Sequence, residues 1–154
     1  MKPVLIKIES LQRNEEGEEL KMELVSEGHF VVKNGTQYLV YEESELTDMK
    51  GVTTIIKIMK DGTVMLMRLG TIRQRQEYRK GKVSKATYTT EMGKLTLLVK
   101  TYECDVQLED GIGTIRIGYE LDVEGLQSNY MQLTITVQED YANGNEEVIE
   151  TRDC

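Results

Sequence analysis

The stretch Met131-Gln132-Leu133-Thr134-Ile135-Thr136-Val137-Gln138 decides the fold class, because apolar and polar residues alternate along its whole length. Successive side chains of a β-strand point to opposite faces of the sheet, so the apolar residues share one face and the polar residues share the other. The same alternation recurs nearer the N-terminus, where charged residues separate Leu20, Met22 and Leu24. This pattern predicts strands that turn one face toward a core and the other toward water.

Turn signals separate the predicted strands at short intervals. Asn34-Gly35 and Asp61-Gly62 favour two-residue hairpin turns, because both residues of each dipeptide accept a positive φ angle. The only proline, Pro3, stands at the start of a strand, where a missing N–H does not interrupt the hydrogen-bond ladder. We predict an all-β protein with about ten strands and no helix.

Two architectures suit such a chain. One is a sandwich with open edges, and the other is a single antiparallel meander closed into a barrel, which has no edges. The near-uniform hairpin spacing favours the barrel, with about 8–10 strands in a single domain over residues 1–154. Residues 141–154 are polar and are predicted to form either a marginal edge strand or a flexible tail.

Composition bounds the class of protein and its partners. The net charge of −8 argues against general binding to nucleic acid or to an anionic membrane, because phosphate contacts need clustered Lys and Arg. No stretch approaches the ~20 apolar residues of a membrane-spanning helix, and the N-terminus lacks the pattern of a signal peptide. The two cysteines, Cys104 and Cys154, are too few for a disulfide framework. We therefore expect a cytoplasmic protein with reduced thiols.

The usual signatures of catalysis and of metal binding are missing. One histidine, His29, and two distant thiols do not make a zinc site, and no segment has the spacing of a nucleophile elbow or a phosphate-binding loop. Glu42, Glu43 and Glu45 follow an apolar strand, and we interpret them as solvated carboxylates. The sequence indicates no catalytic residue, no metal ligand and no cofactor, and it favours a protein without enzymatic activity.

Residues 68–85 form the one unusual cluster of charge. This segment carries +6, with Glu77 as its only acid, so the rest of the chain sums to −14. A local electropositive patch of this kind attracts small anions or one nucleic-acid strand.

The hairpin expected in this segment places its arginines on one face. With the turn at Arg79–Lys82, Arg73 lies opposite Tyr88 and Arg75 lies opposite Ala86, within cross-strand contact distance. Two orientations stay open for this face. It is either an outer surface whose arginines form salt bridges, or an inner surface whose buried arginines need partners or a ligand.

Thr90 and Arg68 are two further candidates for the face that carries Arg73. Thr90 continues the face that carries Arg73 and Tyr88. Arg68 joins that face if Gly70 sits in a β-bulge, and it lies on the opposite face if the strand continues without one.

Several short segments resemble one family along nearly the whole chain. They are Tyr41–Glu45, Gly51–Thr54, Arg68–Gly70, Tyr88–Gly93, Thr101 and Gly118–Leu121. In these segments the chain resembles the YwiB-like family of uncharacterised bacterial β-barrel proteins. The resemblance implies a lipocalin-like, calycin-type barrel from a Gram-positive bacterium. It implies no activity and transfers no catalytic residue.

Three functional hypotheses follow. The first is a barrel that holds a small anionic or amphipathic ligand in its interior. The expected ligand-binding residues are Arg68, Arg73, Arg75, Tyr88 and Thr90, with Tyr41, Thr101 and Tyr119 as additional candidates.

The second hypothesis is a solid barrel that acts through its outer surface, as an interaction module or a homodimer. The third is a protein that binds single-stranded nucleic acid along residues 68–85. Stacking of bases needs aromatic side chains beside the charges, and only Tyr78 and Tyr88 are available there, which disfavours the third hypothesis.

Overall fold

The computed structural model describes residues 1–43, 51–125 and 127–140, and the predicted edge strand or tail at 141–154 lies outside this part of the chain. Ten strands are present: β1 (Lys2–Arg13), β2 (Glu19–Lys33), β3 (Thr36–Glu42), β4 (Thr53–Ile58), β5 (Val64–Leu69), β6 (Arg73–Tyr78), β7 (Val83–Thr90), β8 (Gly93–Glu109), β9 (Ile112–Val123) and β10 (Gln127–Glu139). Each strand pairs antiparallel with its neighbours in sequence, and β1 pairs with β10. The prediction of a closed antiparallel meander is confirmed.

None of the described residues belongs to a helix that is long and apolar enough to cross a membrane.

The two strongest turn signals both mark hairpins, but their loops differ in length. Asn34 and Gly35 have φ angles of 52° and 80° and form the two-residue turn between β2 and β3. Asp61-Gly62 lies inside a longer loop, in which the backbone N–H of Met59 donates to the carbonyl of Thr63 at 2.9 Å. The predicted two-residue turn is therefore wrong at Asp61-Gly62. The Asp61 carboxylate instead accepts a hydrogen bond from the backbone N–H of Thr63 at 2.9 Å.

Apolar side chains from nearly every strand fill one end of the barrel. They include Val4, Ile6, Phe30, Leu39, Ile58, Val64, Ile115 and Val137, all of which are buried. Removing this apolar surface from water is the main driving force for closing the sheet. The interior of the opposite end is polar as well as apolar.

The register of the β6–β7 hairpin places its arginines outside. The turn lies at Arg79–Lys82 as predicted, with the Lys82 N–H donating to the Arg79 carbonyl at 2.9 Å. Farther along, however, Arg73 pairs with Thr89 and Arg75 pairs with Thr87. The chain takes four steps from Arg75 to Arg79 but five from Lys82 to Thr87, so β7 contains one extra residue between the turn and the ladder.

A register shift of one residue exchanges the two faces of a strand. The predicted pairing of Arg73 with Tyr88 and of Arg75 with Ala86 is therefore wrong, because Gln74 is the residue that pairs with Tyr88. Arg73 and Arg75 are exposed on the outer surface, while the alternate residues of β6 point inward.

Gly70 begins a short loop between β5 and β6 and does not bring Arg68 to the face of Arg73 and Arg75. Arg68 pairs with Gln74, so the two side chains share the inner face. Gly70 has a φ angle of 138°, and a Cβ added to it would lie 2.4 Å from the carbonyl oxygen of Gly51. Of the two alternatives for Arg68, the structure has the one in which Arg68 lies on the face opposite Arg73 and Arg75.

Candidate ligand-binding cavity

The polar end of the barrel encloses a cavity of about 430 Å³. Its apolar wall is formed by Ile8, Met22, Leu24, Leu66, Leu97, Leu121, Met131 and Leu133. Its polar part is formed by Ser10, Tyr41, Glu43, Arg68, Gln74, Gln76, Tyr78, Tyr88 and Tyr119. Met22 is half exposed, so the cavity is partly open to solvent on the side of β2.

A chain of hydrogen bonds runs along the inner face of β6. Arg68 Nη1 donates to Gln74 Oε1 at 2.5 Å, and Gln74 Nε2 donates to Gln76 Oε1 at 2.7 Å. Gln76 Nε2 then donates to Tyr78 Oη at 2.7 Å. Residues two apart on a strand share a face, which explains why Gln74, Gln76 and Tyr78 follow one another into the core.

The direction of this chain is set at Arg68. A guanidinium only donates hydrogen bonds, so the Gln74 amide must turn its oxygen toward Arg68 and its nitrogen toward Gln76. The same constraint then orients Gln76 toward Tyr78. Every hydrogen bond in the chain consequently points away from Arg68.

Glu43 lies beside Arg68 at the end of β3. Its side chain is only 1% exposed, and its Oε2 accepts a hydrogen bond from Thr54 Oγ1 at 2.6 Å. Arg68 Nε lies 3.8 Å from the same oxygen, within ion-pair distance but without a hydrogen bond. The interpretation of Glu43 as a solvated carboxylate is therefore wrong. The positions of Ser44 and Glu45 lie outside the described residues.

Three tyrosines surround this corner of the cavity, and burial keeps all of them protonated. Burial raises the pKa of Tyr41 far above its ordinary value, and the negative charge of Glu43 raises it further. Burial likewise raises the pKa of Tyr78 and of Tyr119. The rings of Tyr78 and Tyr119 pack in a tilted arrangement with their centroids 4.7 Å apart.

The eight predicted ligand-binding residues fall into three groups. Arg68, Tyr41, Tyr88 and Tyr119 line the cavity. Arg73 and Arg75 lie on the outer surface, for the reason of register given above, and neither forms a salt bridge with a described residue. Within the described part of the chain, the hairpin thus has the outward orientation without the salt bridges expected for it.

Thr90 and Thr101 form the third group and are absent from the cavity wall. Thr90 lies at the end of β7, where its Oγ1 accepts a hydrogen bond from the backbone N–H of Met92 at 3.1 Å. Thr101 is buried in β8, beside the β-bulge between Thr101 and Glu103, and its Oγ1 has no hydrogen-bond partner among the described residues.

Sequence reasoning missed Gln74, Gln76, Tyr78 and Glu43 as parts of the cavity. Residues 73–78 read Arg-Gln-Arg-Gln-Glu-Tyr, which is polar in both phases of a strand, so alternation does not show which phase is buried. The only available signal was the spacing of Tyr78 from the two glutamines, since a large aromatic residue is the best marker of the inner face.

Within the described ranges, no three His, Cys, Asp or Glu side chains come together in a group that could hold a metal ion. Cys104 is partly buried, and burial raises the pKa of its thiol to about 11, so this thiol is protonated near neutral pH.

These features define a class of protein: a closed ten-stranded antiparallel barrel with a cavity that is apolar along its wall and polar at one corner. The chain belongs to the family described as Domain of unknown function (DUF1934), whose model matches residues 6–135. The resemblance to a YwiB-like family is confirmed.

Two relatives illustrate the match. The uncharacterized beta-barrel protein YwiB of Bacillus subtilis (strain 168) is 29% identical over 136 residues, which cover 88% of this chain and 93% of the relative. The crystal structure of the YwiB protein from Bacillus subtilis matches with a TM-score of 0.76 at 26% identity, covering 90% of this chain and 92% of that one. These names state a fold and leave the function open, so the function has to be argued from the cavity.

Proposed function

We propose that the protein binds a small amphipathic molecule inside the barrel. The cavity volume of about 430 Å³ falls in the range of about 300–1,000 Å³ that is typical of small-molecule sites. The long apolar wall suits the body of such a molecule, and the corner at Arg68 suits a polar group. Convergence of a few polar groups in an otherwise apolar pocket is the general pattern of ligand sites.

The observation that carries this proposal is the Arg68–Gln74–Gln76 chain. A barrel whose interior served only as a core would be filled by apolar residues, because buried polar groups cost free energy unless they are hydrogen-bonded. Here an arginine and two glutamines are held in fixed orientations at the side of a cavity. Such an arrangement supports a site that is organised before the ligand arrives.

A fluorescent amphipathic probe, anilinonaphthalene sulfonate (ANS), tests the proposal. We expect Leu121→Trp, which places an indole in the cavity, to weaken ANS binding about tenfold or more, because bulk inside a small cavity competes with the probe. Leu98→Trp is the matched control, since Leu98 is exposed on the neighbouring strand β8.

Arg73→Ala is a second control, because Arg73 lies outside the barrel and its removal should leave ANS affinity unchanged. Equal ANS affinities for the Leu121→Trp and Leu98→Trp variants would overturn the proposal. Native mass spectrometry of the purified protein provides an independent measurement, with a bound small molecule expected in the wild type and lost in Leu121→Trp.

A second candidate function uses the outer surface of β6, β7 and β8. Arg73, Arg75, Lys85 and Lys94 are all exposed there, in a chain that is acidic elsewhere. The two tyrosines of the hairpin point inward, so the outer surface of β6 and β7 has no aromatic side chain on which single-stranded nucleic acid could stack, and Tyr102 is an exposed aromatic residue on β8. This charge distribution favours an acidic protein surface, the simplest being that of a second copy. A mass by light scattering that stays monomeric at high concentration and low salt would exclude the second copy.

A further inference from the structure

We infer that the polar end of the ligand is a hydrogen-bond acceptor, such as a carboxylate or a carboxamide, and that Arg68 and Gln74 receive it. This inference rests on the proposed function and adds the chemical class of the ligand. It follows from which polar atoms of the cavity wall are already used and which face the open space.

Arg68 is the more exposed of the two charged side chains that line the cavity. Its side chain is 20% exposed, whereas that of Glu43 is 1% exposed and lies behind it. Of the N–H groups of the guanidinium, one on Nη1 donates to Gln74 and the one on Nε is buried beside Glu43 without a hydrogen-bond partner, while no described residue accepts a hydrogen bond from Nη2. Arg68 therefore retains donors that no described residue satisfies.

Glu43 does not compete for these donors. Its Oε2 is hydrogen-bonded by Thr54 and lies 3.8 Å from Arg68 Nε, which is too far for a hydrogen bond. The carboxylate instead balances the positive charge of Arg68. For this reason the incoming group does not have to be an anion, and a neutral carbonyl group satisfies the same donors.

The hydrogen-bond chain leaves Gln74, like Arg68, with an unused hydrogen-bond donor. Its Oε1 already accepts a hydrogen bond from Arg68. One of the two N–H groups on its Nε2 donates to Gln76 Oε1. The remaining N–H of Gln74 is a donor next to the donors of Arg68. An acceptor at the ligand's polar end meets both, whereas a donor-only group such as an ammonium meets neither.

Competition between compounds that share one alkyl chain tests this inference. Octanoate, octanamide and octylammonium are each used to displace bound ANS from the wild-type protein. We expect octanoate and octanamide to displace ANS at concentrations about tenfold lower than octylammonium, which corresponds to about 1.4 kcal/mol.

Two variants assign the preference to the named residues. Arg68→Met should remove the preference for octanoate and octanamide. Gln74→Glu has nearly the same shape but replaces donors with acceptors, so it should shift the preference toward octylammonium and remains informative if Arg68→Met fails to fold. Arg73→Met, on the outer surface, is the control that should keep the wild-type order.

The outcomes separate the two proposals. If octylammonium displaces ANS as well as octanoate does, or if Gln74→Glu keeps the wild-type order, the acceptor inference is wrong while the binding function stands. If none of the three compounds displaces ANS and the Leu121→Trp variant binds ANS normally, both proposals are wrong.

Discussion

Arg68 has two structural roles. It compensates the buried charge of Glu43, and it sets the direction of the hydrogen bonds that continue through Gln74 to Gln76. A buried ion pair adds little to stability when it is compared with apolar residues of the same size, but removing one partner leaves an uncompensated charge in the interior.

The stability of single and double variants separates these effects. We expect Arg68→Met to lower the free energy of unfolding by about 3 kcal/mol, because Glu43 then stays buried without its cation. Adding Glu43→Gln should recover much of the loss, since the buried carboxylate is gone. Urea denaturation measures both changes, and a double variant less stable than Arg68→Met would contradict the role given to Glu43.

The residues of the cavity could be predicted from sequence only in part. The hypothesis of a ligand-binding barrel names Arg68 and Tyr88 as candidate ligand-binding residues, and both line the cavity. Arg73 is predicted beside them because residues of the hairpin are paired one by one from the turn. The extra residue in β7 shifts this pairing and turns Arg73 outward. Glu43 was missed because its burial depends on Thr54, a residue eleven positions away in the chain.

The elements themselves follow closely from local chemistry. Alternation of polar and apolar residues identifies the strands, and turn residues such as Asn34-Gly35 identify the hairpins. The register between strands is less accessible, since it depends on where a strand accommodates an additional residue. In the β6–β7 hairpin one such residue decides which side chains face the cavity.

Gly28 lies where β2 and β3 are so close together that there is no room for a side chain. A Cβ at Gly28 in β2 would lie 2.5 Å from the carbonyl oxygen of Val40 and 2.7 Å from Cδ1 of Ile6. We expect Gly28→Ala to destabilise the barrel by about 1–3 kcal/mol, because the backbone of β3 has to shift. The shift of the urea midpoint measures this cost.

Ser26→Ala is the matched control for that experiment. Ser26 lies two residues earlier on the same face of β2, where a Cβ is already accommodated and the hydroxyl bonds only to the adjacent carbonyl of Glu27. A Gly28→Ala protein as stable as Ser26→Ala would show that β2 and β3 are not in close contact at this position.

At the scale of the whole molecule, closure of the sheet buries a group of phenols. Tyr41, Tyr78 and Tyr119 come from β3, β6 and β9, and only the complete barrel brings them to the same cavity. Their raised pKa values make the stability of the barrel depend on pH in the alkaline range.

The sign of this dependence follows from the two states. In the unfolded chain these tyrosines ionise near their ordinary pKa of 10.0, whereas the folded barrel keeps them protonated to higher pH. The contribution of these protonated tyrosines to the free energy of unfolding is fully present below pH 10. It is lost as the pH rises above 10, at up to about 1.4 kcal/mol per pH unit for each tyrosine.

Urea midpoints measured from about pH 9 to about pH 11.5 give the slope. Tyr41→Phe should make the decline shallower, since one buried phenol is removed, while Tyr102→Phe, which alters an exposed tyrosine, should leave the decline as it is in the wild type. Equal slopes for all three proteins would show that the buried phenols do not control alkaline unfolding.

The pairing of β1 with β10 has a consequence for cooperativity. Because the described strands form a ring, separating any one pair creates two free edges at once and exposes the buried apolar core to water. No strand pair can therefore open as a small, local event that leaves the rest of the ring unaffected. The barrel should lose its cavity and its folded state in the same transition, so that an intact ring is the condition for both.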